Sequence, residues 1–151
     1  MKAITLWQPW AQLYAMGAKE YETRSWFTQH LGELAIHAAK TDEPLRKLML
    51  DIEFGHIDPD PFIDVLGQMD GWKYLPLGAV IGKVEIVACR RTDDHYFDIH
   101  PFTYQERAFG DWSKGRYAWQ AISPVLFDEP IPAKGSQGIW RWSREILQVQ
   151  T

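Results

Sequence analysis

The segment from Ala79 to Arg91 carries the longest β-strand signal in the chain and constrains the fold more than any other stretch. Along it Val80, Val84, Ile86 and Ala88 alternate with Ile81, Lys83, Glu85, Val87 and Cys89, as side chains do on a strand. Gly82 interrupts the run, and a glycine inside a strand indicates a bend or a close backbone approach of the kind that barrels use. Shorter strands are predicted at residues 1–6, 20–24, 33–39, 117–123 and from about residue 139, and the strand at 117–123 is expected to end at Pro124.

Residues 41–74 read as helical and acidic. Apolar residues at helical spacing predict one helix that begins near Asp42 and a second that follows the turn at residues 58–61 and closes near Gly71. The segment has eight acidic residues against three basic ones, so the rest of the chain is close to neutral, although the formal net charge is -4. That balance disfavours nonspecific coating of nucleic acid but still permits a local basic face.

The length of 151 residues fits one domain, predicted to span residues 1–151. The composition, 46% apolar and 24% charged, is typical of a folded protein. No run is long enough to cross a bilayer, and the N-terminus lacks a secretory pattern. Cys89 is the single cysteine, which excludes an internal disulfide and, with the missing signal, predicts a cytoplasmic location.

The most informative motif is G-x-K-x-x-E-x-R, formed by Gly17, Lys19, Glu22 and Arg24. A short helix over residues 11–16 should end at Gly17, and the following strand should place Glu22 and Arg24 on one face, roughly 7 Å apart. A carboxylate, a guanidinium and an ammonium on one such unit can position a polar substrate, supply a base and neutralise developing charge.

Alternating charges are also typical of an exposed edge strand or a solvated ion pair. Five large rings surround the motif and favour a site instead: Trp7, Trp10, Tyr14, Tyr21 and Trp26.

Four runs, in order and covering roughly half the chain, closely resemble the ASCH domain, named for activating signal cointegrator 1: LWQPWAQLYAMGAKEYETRSW, GELAIHAAK, LPLGAVIGKVEIVAC and IPAKGSQGIWRWSREI. The resemblance implies an α+β fold with a small PUA-like β-barrel of about five to six strands and short helices. This class is associated with RNA and modified nucleosides. Residues 41–74 do not match the pattern, so they are predicted to be an acidic helical insertion.

The first functional hypothesis is recognition of RNA or a modified nucleoside, with DNA as a possible partner. Trp7, Trp10 and Trp26 are candidate stacking platforms, while Lys19, Arg24 and Lys134 are candidate contacts to phosphate or carbonyl oxygen. The glycine-flanked loop at residues 134–138, with Ser136 at its centre, can offer main-chain N–H groups to an anion.

Two further ligand candidates lie on the strand predicted at residues 33–39. His37 has small neighbours that leave room for a ligand, although a histidine hydrogen-bonded within the fold is the favoured alternative at this position. Lys40 lies at the end of this strand and is a candidate phosphate contact, with a solvated strand end as the alternative.

The second hypothesis is hydrolysis. Some ASCH-like proteins are small amidohydrolases that deacylate N4-acetylcytidine with a lysine, a threonine and a glutamate, and others are proposed to cut RNA. The lysine matches Lys19, but the threonine position is occupied by Glu22. In a hydrolytic site Lys19 would activate the nucleophile, Glu22 would act as general base, and Glu106 or Asp111 would complete the set. The T-x-x-E pattern at residues 103–106 gives Glu106 an alternative role in a capping box.

A third hypothesis is a protein-interaction module whose exposed rings dock a partner. The sequence does not predict an oligomeric state. No cofactor is expected, and no group of histidines, cysteines or carboxylates has the spacing of a metal site.

Overall fold

A computed structural model of the chain describes residues 1–143, which form one six-stranded sheet with short helices packed on it. Along the sheet the strands lie in the order β2-β5-β4-β3-β1-β6; β1 runs parallel to β3, and all other neighbours are antiparallel. The strands are β1 (Lys2–Leu6), β2 (Tyr21–Arg24), β3 (Gly32–Ala38), β4 (Ala79–Arg91), β5 (Tyr117–Pro132) and β6 (Ile139–Arg141). The sheet curls into a half-barrel, which confirms the predicted α+β fold and strand number.

The pairing of β4 with β5 contributes to the curl. The register between them shifts at three places, and each bulge adds bend and twist to the pair. Gly82 lies at one of them, where a Cβ would stand 2.2 Å from the carbonyl oxygen of Val125. The close backbone approach predicted for this glycine is therefore confirmed.

The prediction that β5 ends at Pro124 is wrong, because the strand continues to Pro132. Glu85 pairs with Ile122 and Lys83 with Val125, so β5 carries one extra residue between these pairs. Ser123 adopts a positive φ of 52° within this bulge. A bulge interrupts the hydrogen-bond ladder, so a proline without an N–H group is tolerated there.

The helices are short: α1 (Trp10–Ala15), α2 (Glu43–Glu53), α3 (Asp60–Leu66), α4 (Tyr96–Ile99), α5 (Tyr104–Phe109), and a 3-10 helix at Met69–Tyr74. The helical character of residues 41–74 is confirmed. The second predicted helix does not reach Gly71, because α3 ends at Gly67, whose φ of 79° breaks the helical path.

Two buried clusters hold the helices to the sheet. Ala11, Tyr14 and Ala15 of α1 pack into the main core. A second core unites residues from α1, α2, α3, the 3-10 helix and α5, and includes Leu13, Leu48, Phe62, Trp72 and Phe109. The helical segment 41–74 therefore packs against α1, directly beside the motif that follows this helix.

The loop predicted at residues 92–101 is more ordered than a surface flap. It contains α4, and Phe97 is buried edge-on against Tyr21 and Trp112, with ring centroids 5.5 Å and 5.3 Å away. Among the helices of residues 1–143, none combines the length and apolar character needed to cross a membrane.

Candidate functional site

The turn after α1 places the motif. Gly17 has a φ of 82°, and a Cβ on it would lie 2.6 Å from Cγ of Pro124 in β5. Both the left-handed backbone and this close approach require glycine. The N–H of Lys19 then donates to the carbonyl of Leu13 at 3.0 Å, so the chain folds back under the helix and directs the Lys19 side chain inward.

Lys19, Glu22 and Arg24 form one charged cluster. The Lys19 ammonium donates to Oε1 of Glu22, and Nη1 of Arg24 lies 3.4 Å from Oε2 of the same carboxylate. The Lys19 side chain is 1% exposed, that of Glu22 10% and that of Arg24 27%. The Glu22 carboxylate thus bridges two cations, and side-chain exposure increases from Lys19 through Glu22 to Arg24.

Tyr14 lies beneath this cluster. Its ring centroid is 5.5 Å from Nζ of Lys19, and its hydroxyl donates to the carbonyl of Trp119 at 3.0 Å. Burial, together with the nearby Glu22 charge, raises the pKa of Tyr14 well above its usual value. The phenol stays neutral at physiological pH, and its ring supports the ammonium.

The cluster opens into a cleft of about 1600 Å³, here called the main cleft. All the predicted site residues except Glu106 line it, although they come from distant parts of the chain. They are Trp7, Trp10, Lys19, Glu22, Arg24, Trp26, His37, Lys40, Lys134 and Ser136.

The tryptophans of the main cleft differ in exposure. Trp7 is 57% exposed and lies on the rim. Trp26 is half-buried and packs edge-on against Trp119, with centroids 4.7 Å apart, while the Arg24 guanidinium lies 5.6 Å from its ring. Trp26 is therefore held in place, and it couples the charged cluster to the aromatic rim.

His37 supports a wall of the main cleft. Its Nε2 lies 2.7 Å from the carbonyl of Ala133, which can only accept, so this nitrogen carries the proton. Its Nδ1 then accepts from the Thr5 hydroxyl at 3.1 Å, and Thr5 in turn accepts from Nε1 of Trp140 at 3.1 Å. Burial lowers the pKa of His37, which keeps the imidazole neutral.

The loop that carries Lys134 and Ser136 rests on this histidine. A Cβ at Gly135 would lie 2.6 Å from both Cε1 of His37 and Oγ1 of Thr5. The loop can approach so closely only because residue 135 lacks a side chain. Lys134 and Ser136 are both exposed at the edge of the main cleft.

Glu106 lies outside the main cleft. Its two carboxylate oxygens accept the main-chain N–H groups of Glu20 and Tyr21, each at 2.9 Å. Thr103 does cap α5 by accepting from the Glu106 N–H at 3.1 Å, but the Glu106 side chain turns to the start of β2 and not back to Thr103. Burial raises the pKa of Glu106, whereas the two N–H groups act in the opposite direction.

Sequence reasoning missed Arg116, which lines the main cleft. Its Nη2 donates to the carbonyl of Thr23 at 3.1 Å, and its Nε lies 3.4 Å from Oδ2 of Asp111. The Thr23 hydroxyl accepts the N–H of Asp111 at 3.0 Å, and both residues line the main cleft. A basic residue directly before the predicted strand at 117–123 was the available signal for Arg116.

Gln8 of the Q-P-W-A run has a structural role. It is buried, its Oε1 accepts the N–H of Gln12 and its Nε2 donates to the carbonyl of Pro76. It thereby joins α1 to the segment that leads into β4. Within residues 1–143, no group of three or more histidines, cysteines or carboxylates is arranged to hold a metal ion.

Residues 4–126 match the family model of the ASCH domain. The chain is similar to activating signal cointegrator 1 of Homo sapiens, with 28% identity over 146 residues, and to the same protein of Mus musculus, with 27% identity. The aligned region is 96% of this chain but 23% of each relative, so the chain spans about a quarter of their length.

Among solved structures, the crystal structure of ASCH from Zymomonas mobilis superposes with a TM-score of 0.54 at 14% sequence identity. The superposition covers 97% of this chain and 90% of that one. At this identity the likeness supports the fold alone.

Proposed function

Because the chain belongs to the ASCH domain family, we propose that it binds RNA or a modified nucleoside in the main cleft, beside Lys19, Glu22 and Arg24. The observation that carries this proposal is the cluster of three ionic side chains opening into an aromatic cleft. Ionisable groups that are nearly buried in a cleft are costly for the fold and are concentrated at functional sites.

The chemistry of the cleft fits a base. An aromatic ring such as Trp7 offers a stacking face that any base can use. The edge of a base carries both donors and acceptors, and the cluster offers both kinds of partner: the Glu22 carboxylate accepts and the Arg24 guanidinium donates. A modified base would be distinguished by the groups that it presents to these two residues.

The rim of the cleft fits phosphate. Lys40 and Lys134 are both exposed at the main cleft, one after β3 and the other in the loop before β6. The ammonium groups of both lysines can contact an anion, because neither has to leave a buried ion-pair partner to do so. The local basic rim therefore offsets the acidic net charge of the whole chain.

Binding can be measured by isothermal titration with cytidine, N4-acylated cytidines, and short RNA and DNA strands. Trp7→Leu should weaken binding about 5- to 100-fold, the range for loss of one base-stacking contact. Arg24→Gln should also weaken binding, whereas Lys47→Gln on α2 removes a charge outside the cleft and should not. Absence of affinity for all these ligands at low salt would rule the proposal out.

A second candidate function is hydrolysis of an N4-acylcytidine or of RNA, favoured by the direct contact between Lys19 and Glu22 at the cleft. Glu22 would act as general base. Thr23, the adjacent hydroxyl, stands one position after the threonine of the amidohydrolase pattern, and it accepts the N–H of Asp111. Mass spectrometry of incubated substrates should show product with the wild type and none with folded Lys19→Met; products from neither protein leave binding as the function.

A further inference from the structure

A second cleft of about 430 Å³ adjoins the main cleft. Trp26 lines both of them, so the two clefts are adjacent at this residue. The second cleft is bounded by residues 26–30 on one side and by the ends of β1 and β6 on the other, with Lys2 and Arg141 among its lining residues.

Lys2 and Arg141 form a like-charged pair across two strands. They are direct partners in the antiparallel pairing of β1 with β6, so their side chains project from the same face of the sheet. Both are exposed. Like charges directly opposite each other are destabilising in a sheet, which makes this pair unfavourable unless an anion lies between them.

Within residues 1–143, neither cation has an acidic partner at ion-pair distance. By comparison, Arg46 pairs with Asp42, and Lys83 with Glu33. The positive charge at Lys2 and Arg141 is thus available to an external anion.

The opposite side of the second cleft is aromatic. Phe27 is 52% exposed although its ring packs edge-on against Tyr117, with centroids 5.8 Å apart. An apolar ring kept at the surface beside Trp26 offers a face for an unstacked base. Two cations opposite an aromatic side are the arrangement that single-stranded nucleic acid requires, since its phosphates and bases point in different directions.

We propose that the second cleft holds the nucleotide adjacent to the one in the main cleft, so that the ligand is a single strand of RNA and not a free nucleoside. Lys2 and Arg141 contact a backbone phosphate, and the strand crosses Trp26. The inference rests on the proposed function, because it extends the ligand of the main cleft by one nucleotide.

The alternative is that Lys2 and Arg141 serve only to protect the edge strand β6 from pairing with another chain, a common use of exposed cations. The two roles differ in one measurable respect. Edge protection does not depend on the ligand, whereas a phosphate contact contributes to the affinity of strands and to its salt dependence.

The test compares wild type with the double variant Lys2→Gln/Arg141→Gln. The ligands are N4-acetylcytidine and a six-nucleotide RNA, each titrated at several salt concentrations. We expect the double variant to bind the RNA about tenfold more weakly at low salt, with a log-log salt slope shallower by about 1.4, which corresponds to two lost phosphate charges. Nucleoside affinity should stay unchanged. Arg46→Gln/Lys73→Gln, which removes the same charge from the segment 41–74, should leave both affinities unchanged.

Three results would overturn the inference. RNA affinity and salt slope in the Lys2/Arg141 variant could equal those of the control variant. Binding of the nucleoside with no gain for the RNA strand would refute the second cleft while sparing the main one. Failure of wild type to bind either ligand would instead refute the proposed function and the inference with it.

Discussion

The Glu22 carboxylate holds the Lys19 ammonium on one oxygen while its other oxygen faces Arg24 at 3.4 Å. The two cations are therefore not equivalent. Lys19 is buried and has Glu22 as its ionic partner, whereas Arg24 is partly solvated, and Glu22 keeps one cation if the other is removed.

This asymmetry predicts an order of stabilities. Glu22→Gln leaves the Lys19 charge buried without a counter-ion and should lower the free energy of unfolding by about 3 kcal/mol or more. Lys19→Met should cost less, because Arg24 still neutralises Glu22. Urea denaturation of both variants provides the measurement, and a larger loss for Lys19→Met than for Glu22→Gln would contradict the prediction.

Glu106→Gln should destabilise the fold and leave ligand affinity unchanged. An amide has one acceptor oxygen, so one of the N–H groups of Glu20 and Tyr21 would lose its partner, at a cost of about 1–3 kcal/mol. Thr103→Ala, which removes the cap of the same helix, is the matched comparison and should cost about 1 kcal/mol. A Glu106→Gln variant that is as stable as wild type but has no turnover would instead support a catalytic role for Glu106.

Acidification should destabilise the fold through His37. Its unfolded pKa is about 6.5, and burial lowers the folded pKa. As the pH falls below about 6.5 the unfolded chain takes up a proton that the folded protein does not, so stability decreases until the folded pKa is reached. Unfolding midpoints from pH 7.5 to pH 5 should fall more steeply for wild type than for His37→Gln, and parallel curves would exclude this contribution.

Gly135→Ala should displace the loop that carries Lys134 and Ser136. The added methyl group would overlap His37 and Thr5, and overpacking of this kind typically costs about 1–3 kcal/mol. Under the proposed function, RNA affinity should decrease as well. Gly71→Ala is the control, since a Cβ there meets no atom within 4 Å, and an equal effect of the two changes on thermal melting would argue against the predicted overlap.

Local patterns were sufficient where neighbouring residues decide the outcome. The bounds of β4 and the stop at Gly17 follow from alternation and from the freedom of glycine, and both agree with the structure. The prediction that β5 ends at Pro124 was wrong, because the rule that proline ends a strand takes no account of the bulge in the pairing of β5 with β4.

Glu106 shows the same limit in a side chain. The capping pattern placed α5 correctly, yet the carboxylate bonds to β2, which lies more than 80 residues earlier in the chain. Nothing near Glu106 in sequence specifies this partner. The contacts of Arg116 with Thr23 and of His37 with Ala133 were beyond local reasoning for the same reason.

The sequence by itself determined the fold class, most of the strands and helices, the family and the charged motif, because periodicity, glycine positions and residue chemistry are local properties. Only the tertiary structure decided which residues meet. Curling of the sheet brings Trp7, Lys19, Lys40 and Lys134 to one cleft. Strand pairing places Lys2 beside Arg141, although the two are separated in sequence by almost the full described length. Such contacts arise from register and curvature, which depend on all the strands together and on no single stretch of chain.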